Sequence, residues 1–268
     1  MAKAKQTKDS QGFDTYVRWF WILFSTGIIF IILIFAFASW GVFGEMPDHT
    51  VLENPKTNLA TEVISSDGKT LGKFYFNDNR TPITFDELPN NLVNALIATE
   101  DERFYDHPGI DVRSTLRAVA FLNTRGGAST ISQQLARQLF VGVRSRNIFQ
   151  AVLQKAKEWV LAIQIEKRYT KNEIIAMYLN VYDFGNTADG VRSASKIYFN
   201  KTPDSLLIED AATLVGMLKN SSYYNPLRRP EIVTERRNIV FQQMQRNGMI
   251  SSQELDSLLK TPLKIDYS

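Results

Sequence analysis

The chain has 268 residues, 44% hydrophobic and 22% charged, an ordinary globular composition with apolar residues enough for a core in one large domain or two small ones. A formal net charge of +3, without any long Lys/Arg block, argues against nucleic acid as a partner. The absence of cysteine and the presence of only two histidines, His49 and His107, exclude disulfides, thiol nucleophiles and cysteine metal sites and leave little for a multi-histidine metal centre or a His-based triad.

From Trp19 to Phe43 no charged residue occurs. As a helix this run exceeds the roughly 30 Å of a bilayer core. Trp19, Trp21 and Trp40 sit near its ends as interfacial anchors, and Lys3, Lys5, Lys8 and Arg18, set against Asp9 and Asp14, place the N-terminus in the cytoplasm. Ala36-Phe37-Ala38 has the form of a signal-peptide cleavage site, but the apolar run is long for such a segment and continues past it, which favours a retained anchor. A polar connector with Pro47 and Pro55 follows. Ala60 to Phe76 then alternates around Asp67-Gly68, the pattern of a β-hairpin.

From Asp86 onward the pattern is helical, interrupted at His107-Pro108-Gly109, Gly126-Gly127, Gly185 to Gly190, Pro203 and Tyr224-Asn225-Pro226. The predicted organisation is a cytoplasmic tail (1–18), a transmembrane helix (19–43), a linker with hairpin (44–85), a mainly α domain (86–260) and a short exit (261–268).

Four stretches could carry chemistry. In the first, Ala98 to Gly109, Glu100 continues the stripe of Val93, Leu96 and Ile97 at helical spacing. A glutamate leaving an apolar face into a cleft is partly desolvated, which raises its proton affinity toward general acid/base work. A surface pair with Arg103 explains the same residue. In the second, Arg125 to Phe140, a glycine turn precedes a helix that Ser129 or Thr130 could cap. Thr130, Gln134 and Arg137 share one polar face there, an anion or sugar-phosphate site or simply a capped surface helix. In the third, Asn147 to Asn180, the expected core stripe is Phe149, Val152, Leu153, Ala156, Val160 and Ile163. Glu158 projects opposite, beside Leu161 and Ile165, either lining a cleft or pairing with Lys155 at the surface. The fourth, Phe184 to Lys201, is a glycine-bounded loop entering a helix. Two S-x-x-K matches, Ser66 to Lys69 and Ser193 to Lys196, lack the companion motifs of serine acyltransferases and are set aside.

Taken in order, these stretches and a fifth, the helix and polar loop from Leu206 to Pro230, resemble the five motifs of the peptidoglycan glycosyltransferase family. This is the lysozyme-like transglycosylase domain of class A penicillin-binding proteins and monofunctional transglycosylases. Glu100, Asp101, Phe104, His107 and Gly109 meet the first motif in full. Gly127, Ser129, Thr130, Ile131, Ser132, Gln133, Gln134 and Arg137 match the second, and Lys155, Glu158, Arg168 and Tyr178-Leu179-Asn180 the third. Gly185, Asn186, Gly190, Tyr198, Phe199 and Lys201 match the fourth, and Glu209, Ala211, Ala212, Gly216, Tyr224, Asn225 and Pro226 the fifth. The chain departs at Arg137, where a lysine is usual, at Gln154, where an arginine usually precedes Lys155, and at Asn200, where glycine is usual. Arg144 or Arg146 could replace the cation missing at Gln154.

The resemblance implies a mainly α, lysozyme-like glycosyltransferase domain with a small β-hairpin behind one transmembrane helix. It implies polymerisation of lipid II into glycan strands by inverting β-1,4 transfer, with undecaprenyl pyrophosphate leaving. By that resemblance Glu100 and Glu158 are catalytic, the first as general base and the second as support for the leaving group. Asp101, Phe104, His107, Ser129, Thr130, Gln134, Arg137 and Lys155 surround substrate and pyrophosphate, with Asp101 and His107 holding the loop that presents Glu100. A divalent ion, Mg or Mn, could act through Glu158, and no organic cofactor is expected. The segment from Val112 to Phe121, with Leu116 and Val119, is expected to dip toward lipid. Expected partners are lipid II, the growing strand, the membrane and other wall-synthesis proteins; the expected place is the bacterial inner membrane, with the domain on its outer side. A membrane-anchored muramidase and a non-catalytic scaffold are the alternatives. The exit Lys260 to Lys264 reads as a linker toward a transpeptidase domain or as the end of a monofunctional enzyme, with the first slightly favoured.

Overall fold

The computed structural model describes residues 7–42, 47, 52, 61–64, 70–74, 82–120 and 127–267. Two compact units contain the chain: residues 1–46 with 144–160, and residues 47–143 with 161–268.

The first unit holds helix α1, Thr7–Ser39. Its Asp14–Ser39 portion, 26 residues, is long and apolar enough to cross a membrane and is exposed over most of its length, with Ala38 buried near its end. A single segment can do so because a helix satisfies every backbone donor internally. The helix stops four residues before the predicted end, where Ser39 Oγ donates back to Phe35 O at 2.9 Å and Gly41 turns the chain at φ 75°. The same unit contains the first part of helix α5, Ile148–Glu166. Asn147 Oδ1 caps it by accepting from the amides of Phe149 (2.9 Å) and Gln150 (3.2 Å). Here the expected core stripe is corrected. Of that stripe Ala156 is buried and Leu153, Val160 and Ile163 are half-buried, but Phe149 and Val152 are 68% and 50% exposed, whereas Glu158 on the opposite side is buried. A helix apolar on two sides does not reveal by periodicity which side meets the core. Trp159 stacks on Phe35, with ring centroids 5.5 Å apart.

In the second unit, β1 (Thr61–Ile64) pairs antiparallel with β2 (Thr70–Phe74), Thr61 opposite Phe74 and Val63 opposite Gly72, with a register shift between Val63 and Ile64. The hairpin is where the alternation placed it; its Asp67-Gly68 turn lies outside the described residues. The helices are α2 (Asn90–Glu100), α3 (Val112–Ala120), α4 (Ile131–Ala136), α6 (Lys171–Val181), α7 (Gly190–Phe199), α8 (Ile208–Met217), α9 (Pro230–Arg246) and α10 (Ser252–Leu258). α2, α8 and α9 pack on one another through Leu92, Leu96, Leu214, Val215, Val240 and Phe241. α4 packs on α6 through Ile131, Leu135, Ile174 and Tyr178. Asn200 ends α7 at φ 51°, a left-handed geometry that asparagine tolerates better than most residues, which explains how it stands where glycine is usual.

Candidate active site

Helix α2 carries its buried face of Leu92, Val93, Leu96 and Ile97 up to Glu100, its last residue. The backbone then leaves helical geometry at Asp101 (φ −161°, ψ 78°), so Glu100 stands half-buried at the lip of the helix. A surface pair with Arg103 is not what forms. Arg103 Nη2 instead binds Asp111 Oδ2 at 2.6 Å and Ser114 Oγ at 3.1 Å. Burial pushes the Asp111 carboxyl up, but hydrogen bonds from Ser114 and the Arg103 guanidinium outweigh it and hold the group below the usual carboxylate range.

The loop after Glu100 is tied at several points. His107 Nε2 lies 3.0 and 3.1 Å from the two oxygens of Asp101, and His107 Nδ1 accepts from the Gly109 amide at 3.2 Å. With Nδ1 an acceptor, the proton belongs on Nε2, facing the carboxylate. Asp101 Oδ2 also accepts from the Ile131 amide at 3.1 Å, one of the free donors opening α4. Gly109 has φ 94°, and a Cβ there would sit 3.0 Å from Ala162 O, so both conformation and space demand glycine. Phe104 is fully buried under the loop.

Thr130 caps α4, its hydroxyl accepting from the Gln133 amide at 3.2 Å and donating to Gly109 O at 2.7 Å. The reading of α4 as a solvated surface helix is overturned: all six of its residues are buried. Gln134 Nε2 donates to Glu100 Oε2 at 2.8 Å, and the Tyr178 hydroxyl donates to Gln134 Oε1 at 3.0 Å. Burial and then the Glu100 charge push the Tyr178 phenol well above its ordinary value, and the same causes push Tyr182 up to about 12. α4 runs directly into a π turn, Arg137–Val141, closed by Gly142 at φ 77°. Such turns recur at functional sites. The half-buried Arg137 makes no ion pair among the described residues.

A second tie escaped the sequence reading. Glu166 Oε1 accepts from Ser132 Oγ and, at 2.8 Å, from Lys171 Nζ. Lys171 Nζ also donates to His107 O at 2.6 Å and lies 4.3 Å from the Phe104 ring centroid. Residues from α4, α5, α6 and the Glu100 loop are thereby joined. The clue available in the sequence was weak: Lys171 follows the helix cap Thr170, a position where a cation opposes the helix dipole.

Beside Glu100 opens a cavity of about 210 Å³, lined by Asp111, Arg117, Ser129, Gln243, Arg246 and Asn247 among others. Polar groups and two cations at a base suit a hydroxylated, partly anionic ligand. α3 beside it exposes Val112 and Leu116; Phe121 lies outside the described residues. In the fourth motif, Asn186 and Thr187 take φ 53° and 60°, and the Tyr198 hydroxyl donates to Phe184 O at 2.8 Å while accepting from Asn186 Nδ2 at 3.1 Å. Gly190 has φ 76°, and a Cβ there would lie 2.7 Å from Asn180 O.

In the first unit, Lys155 Nζ binds Glu158 Oε2 at 2.8 Å, with the Glu158 side chain 3% exposed. The pair predicted from spacing forms, but its carboxylate is buried rather than solvated. Gln154 Oε1 accepts from the Ser145 amide at 2.8 Å, tying down the turn ahead of α5, and Arg144 and Arg146 are exposed. Among the described residues no three His, Cys, Asp or Glu side chains come together as a metal site. The Glu158 carboxylate is matched by Lys155, and among the described residues His, Cys, Asp and Glu side chains alone do not assemble a site for a divalent ion.

Residues 67–245 match the family described as Transglycosylase. The chain is 35% identical over 260 residues to penicillin-binding protein 1A of Escherichia coli, covering 94% of this chain and 29% of that protein. It is 35% identical over 212 residues to penicillin-binding protein 1F of Bacillus subtilis, covering 77% of this chain and 29% of that protein. The crystal structure of penicillin-binding protein 1A from Haemophilus influenzae aligns with 80% of this chain and 22% of that one, at 22% identity and a TM-score of 0.43. The chain thus spans less than a third of the length of these relatives.

Proposed function

This chain belongs to the transglycosylase family, and from that premise we propose that it is a peptidoglycan glycosyltransferase that polymerises lipid II. The observation that carries the reading is a half-buried carboxylate, Glu100, oriented by Gln134 at the edge of a polar cavity. In this reading the acceptor's GlcNAc 4-hydroxyl lies in that cavity and Glu100 takes its proton. The oxygen attacks the anomeric carbon of the strand's MurNAc, the new C–O bond forms as the C–O bond to pyrophosphate breaks, and the configuration inverts. The candidate donors to the departing undecaprenyl pyrophosphate are Arg137 and Ser129 in the second unit and Lys155 in the first. Glu158 holds Lys155 in place for that task. Asp101, His107 and Thr130 keep the loop and the start of α4 in register with Glu100, and Phe104 supports them from beneath.

In the same reading α1 is a single-pass anchor with its N-terminus in the cytoplasm, and the exposed Val112 and Leu116 of α3 face the lipid that carries the substrate. The place is the inner membrane, among other wall-synthesis proteins.

Purified protein given lipid II in detergent, with products resolved by length, tests this. Polymer is expected, falling by about 10²–10⁴-fold in Glu100→Gln. Shortening of pre-made strands would identify a muramidase instead, and an unchanged substrate a scaffold.

A further inference from the structure

We propose that Tyr178 is a positioning residue for Glu100, acting through Gln134 by fixing which end of that amide meets the carboxylate. The proposal rests on the reading of Glu100 as the base.

An amide side chain has a donor end and an acceptor end of nearly equal shape, so its environment must choose between two orientations. Facing an ionised glutamate, only the N–H end is favourable; the C=O end would set one acceptor against another. Tyr178 makes the choice. Its hydroxyl donates to Gln134 Oε1 at 3.0 Å, which leaves Nε2 to donate to Glu100 Oε2 at 2.8 Å. The phenol is fully buried on α6 and always has a proton to place, because burial and the neighbouring Glu100 charge both oppose its ionisation. Gln134, itself buried, has its amide committed at both ends.

Among the described residues Glu100 has no second tether of this kind. Tyr182, just past the end of α6, also feels its charge, and Arg137 on the π turn acts on Tyr178. Asp101 and Glu102 follow it in the chain, and Asp111, Arg117 and Arg246 line the same cavity. Among the described residues none of these is hydrogen-bonded to the Glu100 carboxylate, and Oε1 is left open for the acceptor's proton.

Losing the donor to Oε2 favours the neutral carboxyl, so a base that must be ionised would work only at higher pH. In Tyr178→Phe the acid limb of the kcat profile with lipid II is expected to move up by about one pH unit, with kcat at lower pH down about tenfold and KM little changed. Gln134→Met should do the same, and the double variant should do no more than the larger single, since both act along one path. Replacing Tyr178 by 3-fluorotyrosine, a stronger donor of nearly the same shape, should move the limb the opposite way and covers the case of a Phe variant that does not fold. An unmoved acid limb, or additive effects in the double variant, would overturn the proposal. Carbon-13 NMR of labelled glutamates, assigned with Glu100→Gln, follows the carboxyl without turnover. If the wild type makes no polymer, the functional reading fails, while the Glu100 titration still decides the role of Tyr178.

Discussion

A carboxylate is costly to bury, and Asp111 shows how single residues in this fold make it tolerable. Its side chain is 8% exposed, yet Ser114 and Arg103 hold it ionised below the usual carboxylate range. A carboxyl depressed in the folded state contributes stability above its unfolded value, near pH 4, and loses it as pH falls through the folded value. Arg103→Met is therefore expected to destabilise the domain by about 1–3 kcal/mol at pH 7, with a smaller loss near pH 3, as urea unfolding at the two values would show. An equal loss at both would mean that Arg103 acts through packing alone. The sequence paired Arg103 with Glu100 because both share a short segment. It could not show that Asp111, eight residues on, folds back to claim the guanidinium.

At the scale of elements, the helices most readable from sequence are those with their own start signals. Thr170 and Glu173 form a reciprocal capping box on α6, each binding the other's backbone amide. Thr170→Ala should cost about 1 kcal/mol of stability, read by thermal unfolding. An unchanged midpoint would show that packing of Ile174, Ile175 and Tyr178 sets α6 without help from its cap. The long apolar helix and the hairpin were legible for the same local reason, since charge-free length and alternation are properties of one segment. Three features were not. The buried face of α5, the π turn after α4 and the Ser132–Glu166–Lys171 network all depend on neighbours brought from elsewhere in the chain. Periodicity marks Glu158 as lying off the Phe149 stripe without saying which side is buried. The first two motifs point to Glu100 and Gln134, which the structure joins by a hydrogen bond, whereas the work of Thr130, Gln134 and Phe104 within the fold emerges only from their contacts.

Across the whole molecule, apolar surface is distributed unevenly. Besides the bare α1, the chain exposes Ile148, Phe149 and Val152 together at the start of α5. A patch of neighbouring large apolar residues left in water is unusual and marks a surface meant for lipid or protein. Phe149→Ser with Val152→Ser is expected to change unfolding free energy in detergent by no more than about 0.5 kcal/mol, while weakening partition of the protein into lipid vesicles measured by flotation. A large loss of stability would instead place these side chains in a packed interface.

Lys171 offers one more consequence. Its ammonium has two oxygen partners and an aromatic face, all belonging to the fold. An amine held that way, its side chain 21% exposed, is expected to react with acylating reagents more slowly than a free lysine and faster whenever the loop carrying His107 lets go. Its labelling rate, set beside that of the exposed lysines, becomes a clock for how often the loop after Glu100 breathes.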